Sequence, residues 1–87
     1  MNKVFNFSEN ITFESIDENI FILDIENGKY YKLSKSASLI WYEVEKGRDI
    51  DDMKTYLRSK YNDNKEIDND VEKTISSFIK LGFISDR

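Results

Sequence analysis

Cysteine, histidine and proline are all missing from this chain of 87 residues. Without cysteine there is no disulfide framework, no thiolate nucleophile and no thiolate metal site. Without histidine the chain lacks the commonest general base, the commonest zinc ligand and the usual physiological pH switch. Glycine is scarce, with three in the whole chain, and none belongs to a phosphate-cradling cluster. Basic residues are outnumbered 17 to 13, giving a net charge of -4. That balance speaks against nucleic acid as a partner, because nucleic-acid binders carry a basic excess or a basic stripe. No apolar run approaches the roughly 20 residues a membrane helix needs, so no membrane partner is expected. The opening Met1-Asn2-Lys3-Val4-Phe5 has no apolar signal core, which predicts a cytoplasmic protein. Together these absences favour a binding module over an enzyme, with no cofactor and no metal.

Aromatic residues, by contrast, make up 14% of the chain and are spread along it, which disordered chains do not show. A chain this short builds one small core, so each buried ring matters. The reading is a folded domain over residues 11–87, preceded by residues 1–10 as an arm or short strand.

Apolar periodicity divides the domain in two. Ile11 to Ile16 alternates apolar and polar, as a strand with one buried face does. Asp17-Glu18-Asn19 is a turn, and Ile20 to Ile25 is apolar enough for a central strand covered on both faces. Asn27-Gly28 predicts a tight type I′ hairpin with both residues at positive φ. Lys29 to Leu33 alternates again, with Lys29, Tyr31 and Leu33 on one face and Tyr30 and Lys32 on the other. The stretch from Lys3 to Phe7 is a fourth short strand or an arm.

From Ser34, a helix N-cap, the period becomes helical. Ala37, Ile40, Trp41 and Val44 form the first stripe. Asp49 caps a second helix carrying Ile50, Met53, Tyr56, Leu57 and Tyr61, and Asn62-Asp63-Asn64-Lys65 is a loop. The third helix carries Ile67, Val71, Ile75, Phe78 and Ile79. Gly47 and Gly82 are left-handed C′ residues that end the first and third helices, and Phe83-Ile84 returns to the core. The order predicts an α+β, winged-helix-like domain: a three-stranded antiparallel sheet followed by three helices.

Most conspicuous side chains have structural explanations. Trp41, Tyr56, Tyr61 and Phe78 sit at helical period and are read as core. The acidic clusters Asp49 to Asp52 and Glu66 to Asp70 suit helix starts for dipole reasons. Neither has the alternating ligands, central glycine and closing Glu of a calcium loop. The third strand is different. It follows a hairpin and leads straight into a helix, which makes it a sheet edge with unpaired N–H and C=O groups. Lys29 and Lys32 guard it against uncontrolled pairing. Such an edge can also accept a partner peptide as an additional strand.

The residues Leu23 to Ser34, then Ile40-Trp41, Gly47-Arg48-Asp49, Leu57 to Tyr61, Asp70-Val71 and Lys80 to Ile84, resemble the PqqD-like family in order and spacing. These are the peptide-recognition elements of pathways that modify ribosomally made peptides. The likeness runs from about residue 11 to 84. Ser34 stands where the family usually has Asn, Ser36-Ala37-Ser38 replaces Thr-Gly-Ala, and Thr74 replaces an apolar residue. The resemblance implies a module that binds the leader region of a precursor peptide as an antiparallel strand between the third strand and the third helix. It implies delivery to a maturation enzyme, a leader protease of a lasso-peptide pathway first and a radical S-adenosylmethionine enzyme second.

The expected peptide-binding residues are Lys29, Tyr30, Tyr31, Lys32 and Leu33 on the strand. On the third helix one flank offers Asp70, Thr74 and Ser77, the other Glu72, Ser76 and Ile79. The resemblance favours the first, because Asp70 and Thr74 occupy positions where the family contacts the leader or shapes its pocket. Two rival functions remain at this stage. A winged-helix DNA-binding transcriptional regulator has the right element types, but its strands come in an unusual order and its helices here are acidic. A small acidic enzyme lacks both histidine and any purposeful pair of carboxylates.

Overall fold

The computed structural model describes residues 4–61 and 65–86; Met1 to Lys3, the Asn62 to Asn64 part of the expected loop, and Arg87 lie outside the described residues. The elements run β1 (Phe5–Phe7), β2 (Ile11–Ile16), β3 (Asn19–Asp24), β4 (Lys29–Lys32), α1 (Lys35–Glu45), α2 (Ile50–Lys60), α3 (Lys65–Lys80) and β5 (Ile84–Asp86). The α+β order of three antiparallel strands followed by three helices is as expected. β2, β3 and β4 form one sheet with β3 in the middle, and β1 pairs with β5 in a second, two-stranded sheet. Lys65, assigned to a loop for its polarity, opens α3 instead.

The two hairpins exchange the turn chemistry the sequence suggests. Ile16 pairs with Asn19, leaving Asp17-Glu18 as a two-residue loop. Both residues have positive φ, 50° and 69°, as a type I′ turn demands. Asn27-Gly28, the stronger signal, sits instead in a four-residue loop between the paired Asp24 and Lys29, where only Gly28 has positive φ (70°). Asp24 accounts for the change. Its carboxylate accepts hydrogen bonds from the Asn27 amide N–H at 3.1 Å and the Asn27 side chain at 2.9 Å. Its carbonyl accepts from the Gly28 N–H at 2.7 Å. Asn27 is thereby engaged in a longer turn. A left-handed Glu carries a backbone cost that glycine avoids. Glu18→Gly should therefore raise stability by about 0.5–1 kcal/mol, net of glycine's own entropic cost. Urea titration reads this directly, and a lowered midpoint would contradict the left-handed turn.

The helix ends follow their signals. Ser34 Oγ accepts the Ala37 N–H at 3.2 Å, and Asp49 Oδ1 accepts the Asp52 N–H at 2.8 Å. Gly82 has φ of 79°, and the Phe83 N–H reaches back to the Phe78 carbonyl at 2.9 Å. This is a Schellman closure, and its characteristic apolar contact is the Phe78–Phe83 ring pair, 6.4 Å apart. The reversal drives Phe83 into the core and sends Ile84 to Asp86 back beside β1.

Trp41, fully buried, is the hub of that core. Phe7, Phe13, Phe78 and Phe83 surround it at ring-centroid distances of 4.9, 5.1, 5.1 and 6.0 Å. Ile20 and Ile22 of β3 point into the same layer, and Ser38 of α1 binds the Ile20 N–H through its Oγ at 2.9 Å. Phe5 and Phe7 of β1 join from the far end of the chain. Two stripe residues are exposed: Tyr61 at 47% and Ile79 at 41%. Tyr61 lies just past the end of α2, and Ile79 lies beyond the narrow buried stripe of Val71, Ile75 and Phe78. Among the described residues, no helix is long and apolar enough to cross a membrane.

Candidate peptide-binding edge

β4 owes its position to the loop before it. The Asn27 contacts hold the Asp24 carboxyl below its ordinary pKa, the side-chain hydrogen bond being the largest cause. They set the register Asp24–Lys29, Leu23–Tyr30, Ile22–Tyr31 and Phe21–Lys32. The Leu33 N–H donates to the Ile20 carbonyl at 2.8 Å. Main-chain groups alternate sides along a strand, so Tyr31 and Lys29 also address β3. The N–H and C=O of Tyr30 and Lys32 therefore point away from it. β4 ends the sheet order, so these groups face an edge with no neighbouring strand among the described residues.

The side chains divide by the same alternation. Tyr31 turns inward, edge-on to Phe83 at 5.1 Å, and Leu33 packs on the core. Tyr30 and Lys32 turn to the outer face, with Tyr30 64% exposed. Lys29 is exposed beside the loop.

α3 has two flanks, and α2 makes ion pairs with one. Lys54 Nζ lies 2.7 Å from Glu72 Oε2, a contact that raises the lysine pKa. Arg58 grips Asp68 with two hydrogen bonds, that from Nε being 2.9 Å, and lowers the pKa of its carboxyl. The other flank carries Asp70, Thr74 and Ser77, spaced i, i+4, i+7. Asp70 and Thr74, with Ile67, line a small pocket of about 70 Å³ closed by Ser36 and Ile40 of α1, Leu57 of α2, and Tyr61. Ser77 stands one turn further along, outside the pocket lining.

β4 is tied to α3 at two places. Ser36 follows β4 by four residues and lines the pocket with Asp70 and Thr74. At the other end, Tyr31 touches Phe83, which directly follows the turn closing α3. No residue from Lys29 to Leu33 lines that pocket; β4 is linked to it through Ser36, and to the far end of α3 through Phe83. Ser36, Ile40, Leu57, Tyr61 and Ile67 were absent from the expected set. Their apolar members carry the same stripe signal as core residues. Only the placement of Tyr61 at a helix end hinted that it was available.

The arrangement can bind an extended peptide through main-chain pairing, with an apolar pocket and an acid beside it. Among the described residues, no group of three carboxylates is placed to hold a metal ion. The family model described as coenzyme PQQ synthesis protein D (PqqD) matches residues 19–84. The chain belongs to the PqqD family. That match includes β3, β4 and all three helices, and so the whole candidate edge. Two solved structures share the PqqD fold seen here. "TbiB1 in Complex with the TbiA(beta) Leader Peptide" has a TM-score of 0.84 at 17% identity, covering 92% of this chain and 94% of its own. "Lasso peptide synthetase B1 complexed with the leader peptide" has a TM-score of 0.84 at 23% identity, covering 93% of this chain and 96% of its own. No curated protein matches the chain by sequence.

Proposed function

We propose that this chain is a non-catalytic module that captures the leader segment of a ribosomally made precursor peptide and presents it to a separate maturation enzyme. The leader adds to β4 as an antiparallel strand, and α3 forms the second wall. The observation that carries this reading is the open β4 edge in a PqqD-family fold, with a pocket at Asp70 and Thr74 that Ser36, just after β4, also lines. Both similar structures hold leader peptides, which supports the same class of ligand here. One of them is a lasso peptide synthetase B1, which favours a leader protease of a lasso-peptide pathway as the enzyme served. A radical S-adenosylmethionine enzyme is the next choice. The module works in the cytoplasm, where precursor peptides are made.

In this scheme main-chain pairing supplies affinity and the flanking side chains supply selectivity. Lys32 meets an acidic leader residue, and Asp70 a basic or hydrogen-bonding one at the pocket. The test peptides are the leader segments of short open reading frames adjacent to this gene. Calorimetry should give micromolar to nanomolar binding, about −8 to −12 kcal/mol. Lys32→Ala and Asp70→Ala should each weaken it by about 1–3 kcal/mol with the fold intact. Glu72→Ala, on the flank occupied by Lys54, should leave affinity unchanged. The opposite pattern, loss at Glu72 and none at Asp70, would move the groove to the other side of α3.

A further inference from the structure

The peptide-binding scheme takes only Lys32, at the β4 edge, from the outer face of the three-stranded sheet, because its main-chain pairing lies in the plane of the sheet. The core lies on the opposite face. Ile20 and Ile22 are buried there, whereas Phe21 and Leu23, pointing outward, are only half-buried. What shelters Phe21 is the outer face itself. Tyr30 stands edge-on to it at 6.4 Å, and Lys32 Nζ sits 5.8 Å from its ring centre. Ile16 and Tyr30 are 44% and 64% exposed at two corners. Two shallow hollows, of about 330 and about 180 Å³, are both lined by Phe21 and Tyr30.

The pairing registers order this face into rows. One row is Glu14–Phe21–Lys32 and the next is Thr12–Leu23–Tyr30. In the first, an acid stands on one edge strand, a base on the other, and an aromatic ring on the strand between. Rotation by half a turn about an axis along β3, lying in the plane of the face, sets a second copy against the first. Phe21 then meets Phe21 and Leu23 meets Leu23, while each Glu14 meets the other copy's Lys32. The row complements itself because its two charges are opposite and sit one strand either side of the axis. The operation is the isologous two-fold of ordinary dimers. It also keeps the strands of the two sheets nearly aligned, the usual packing for twisted sheets.

We propose that the chain self-associates through this outer sheet face, with Phe21 and Leu23 on the two-fold axis and a Glu14–Lys32 pair on each side. The face is only three short strands wide. Its burial falls below the roughly 1,200 Å² typical of stable complexes, so the dimer is weak and reversible. The proposal does not depend on the leader-binding reading, although Lys32 serves in both, and its test contains no peptide in the decisive arm.

Sedimentation equilibrium of the whole chain up to about 1 mM, a range suited to weak association, should show a concentration-dependent dimer. Glu14→Lys and Lys32→Glu each place like charges together twice per dimer and should weaken association about tenfold or more. The double variant Glu14→Lys, Lys32→Glu reinstates both pairs and should recover most of the wild-type affinity. Circular dichroism checks that each variant is folded. On dilution, methyl signals of Ile16 and Leu23 should shift. A chain monomeric throughout overturns the proposal, as does a double variant no better than the singles, or a dimer whose shifts fall on the helices. Outer-face signals that move only on adding a leader peptide would assign the face to that peptide and equally overturn it.

Discussion

Trp41→Ala should cost about 3–5 kcal/mol, the range for removing a large aromatic from a core. The upper half of that range is expected, because four rings close around the indole and none can follow it inward without breaking another contact. Phe7 is held by β1 pairing with β5, Phe13 by β2, and Phe83 by the Gly82 turn. A domain of this size has roughly 4–13 kcal/mol in total, so the variant should be marginal or unfolded. Trp41→Phe should be far milder. It leaves a smaller void, and it removes an indole N–H that is buried without a hydrogen-bond partner among the described residues. Urea denaturation of the two variants checks both expectations. A Trp41→Ala protein that stays fully stable but loses peptide binding would place this ring in the groove instead.

Proline scanning of β4 should produce the largest separation of binding from folding. The Lys32 N–H points to the open edge, so Lys32→Pro leaves the ladder to β3 whole, and proline is tolerated on an edge strand in that orientation. It removes a donor that the incoming strand needs and puts a ring in its path. Leader affinity should fall by about a further 1–3 kcal/mol beyond Lys32→Ala, roughly 5–150-fold. Tyr31→Pro is the converse. Its N–H addresses β3, so this change should destabilise the fold before it bears on the peptide. Calorimetry beside thermal melts separates the two. Equal folding loss in both variants would mean that the alternation along β4 is reversed.

Features governed by a few neighbouring residues were legible in the sequence. Ser34 and Asp49 cap the helices, and Gly47 and Gly82 end them, because capping depends on three or four consecutive positions. The exposed β4 edge was legible for the same reason, since a strand between a hairpin and a helix has little room for another partner. Where two local signals competed, the sequence misled. Asn27 could enter a type I′ turn or bind Asp24, and the second won, while the less promising Asp17-Glu18 took the tight turn. The pairing of Phe5–Phe7 with Ile84–Asp86 joins segments nearly a chain length apart, and no local pattern announces it. The pocket was partly visible. Asp70 and Thr74 stood out by resemblance and polarity, but Ile40, Leu57 and Ile67 carry the same periodic signal as true core. Which flank of α3 pairs with α2 depended on Lys54 and Arg58 reaching Glu72 and Asp68, a matter of helix packing that one helix's periodicity does not contain.

Amide hydrogen exchange in the presence of the leader peptide tests the central claim most directly. Among the described residues the sheet has two free edges, and the hydrogen bond from Ile25 N–H to the Asn10 carbonyl sets the parity of β2, so that the amides of Ile11, Phe13 and Ser15 face outward there. If the leader joins β4, the amides of Tyr30 and Lys32 should become strongly protected on binding. Those of Ile11, Phe13 and Ser15 should exchange as before. Protection appearing on β2, or tight binding with both edges still exchanging freely, would contradict strand addition at β4.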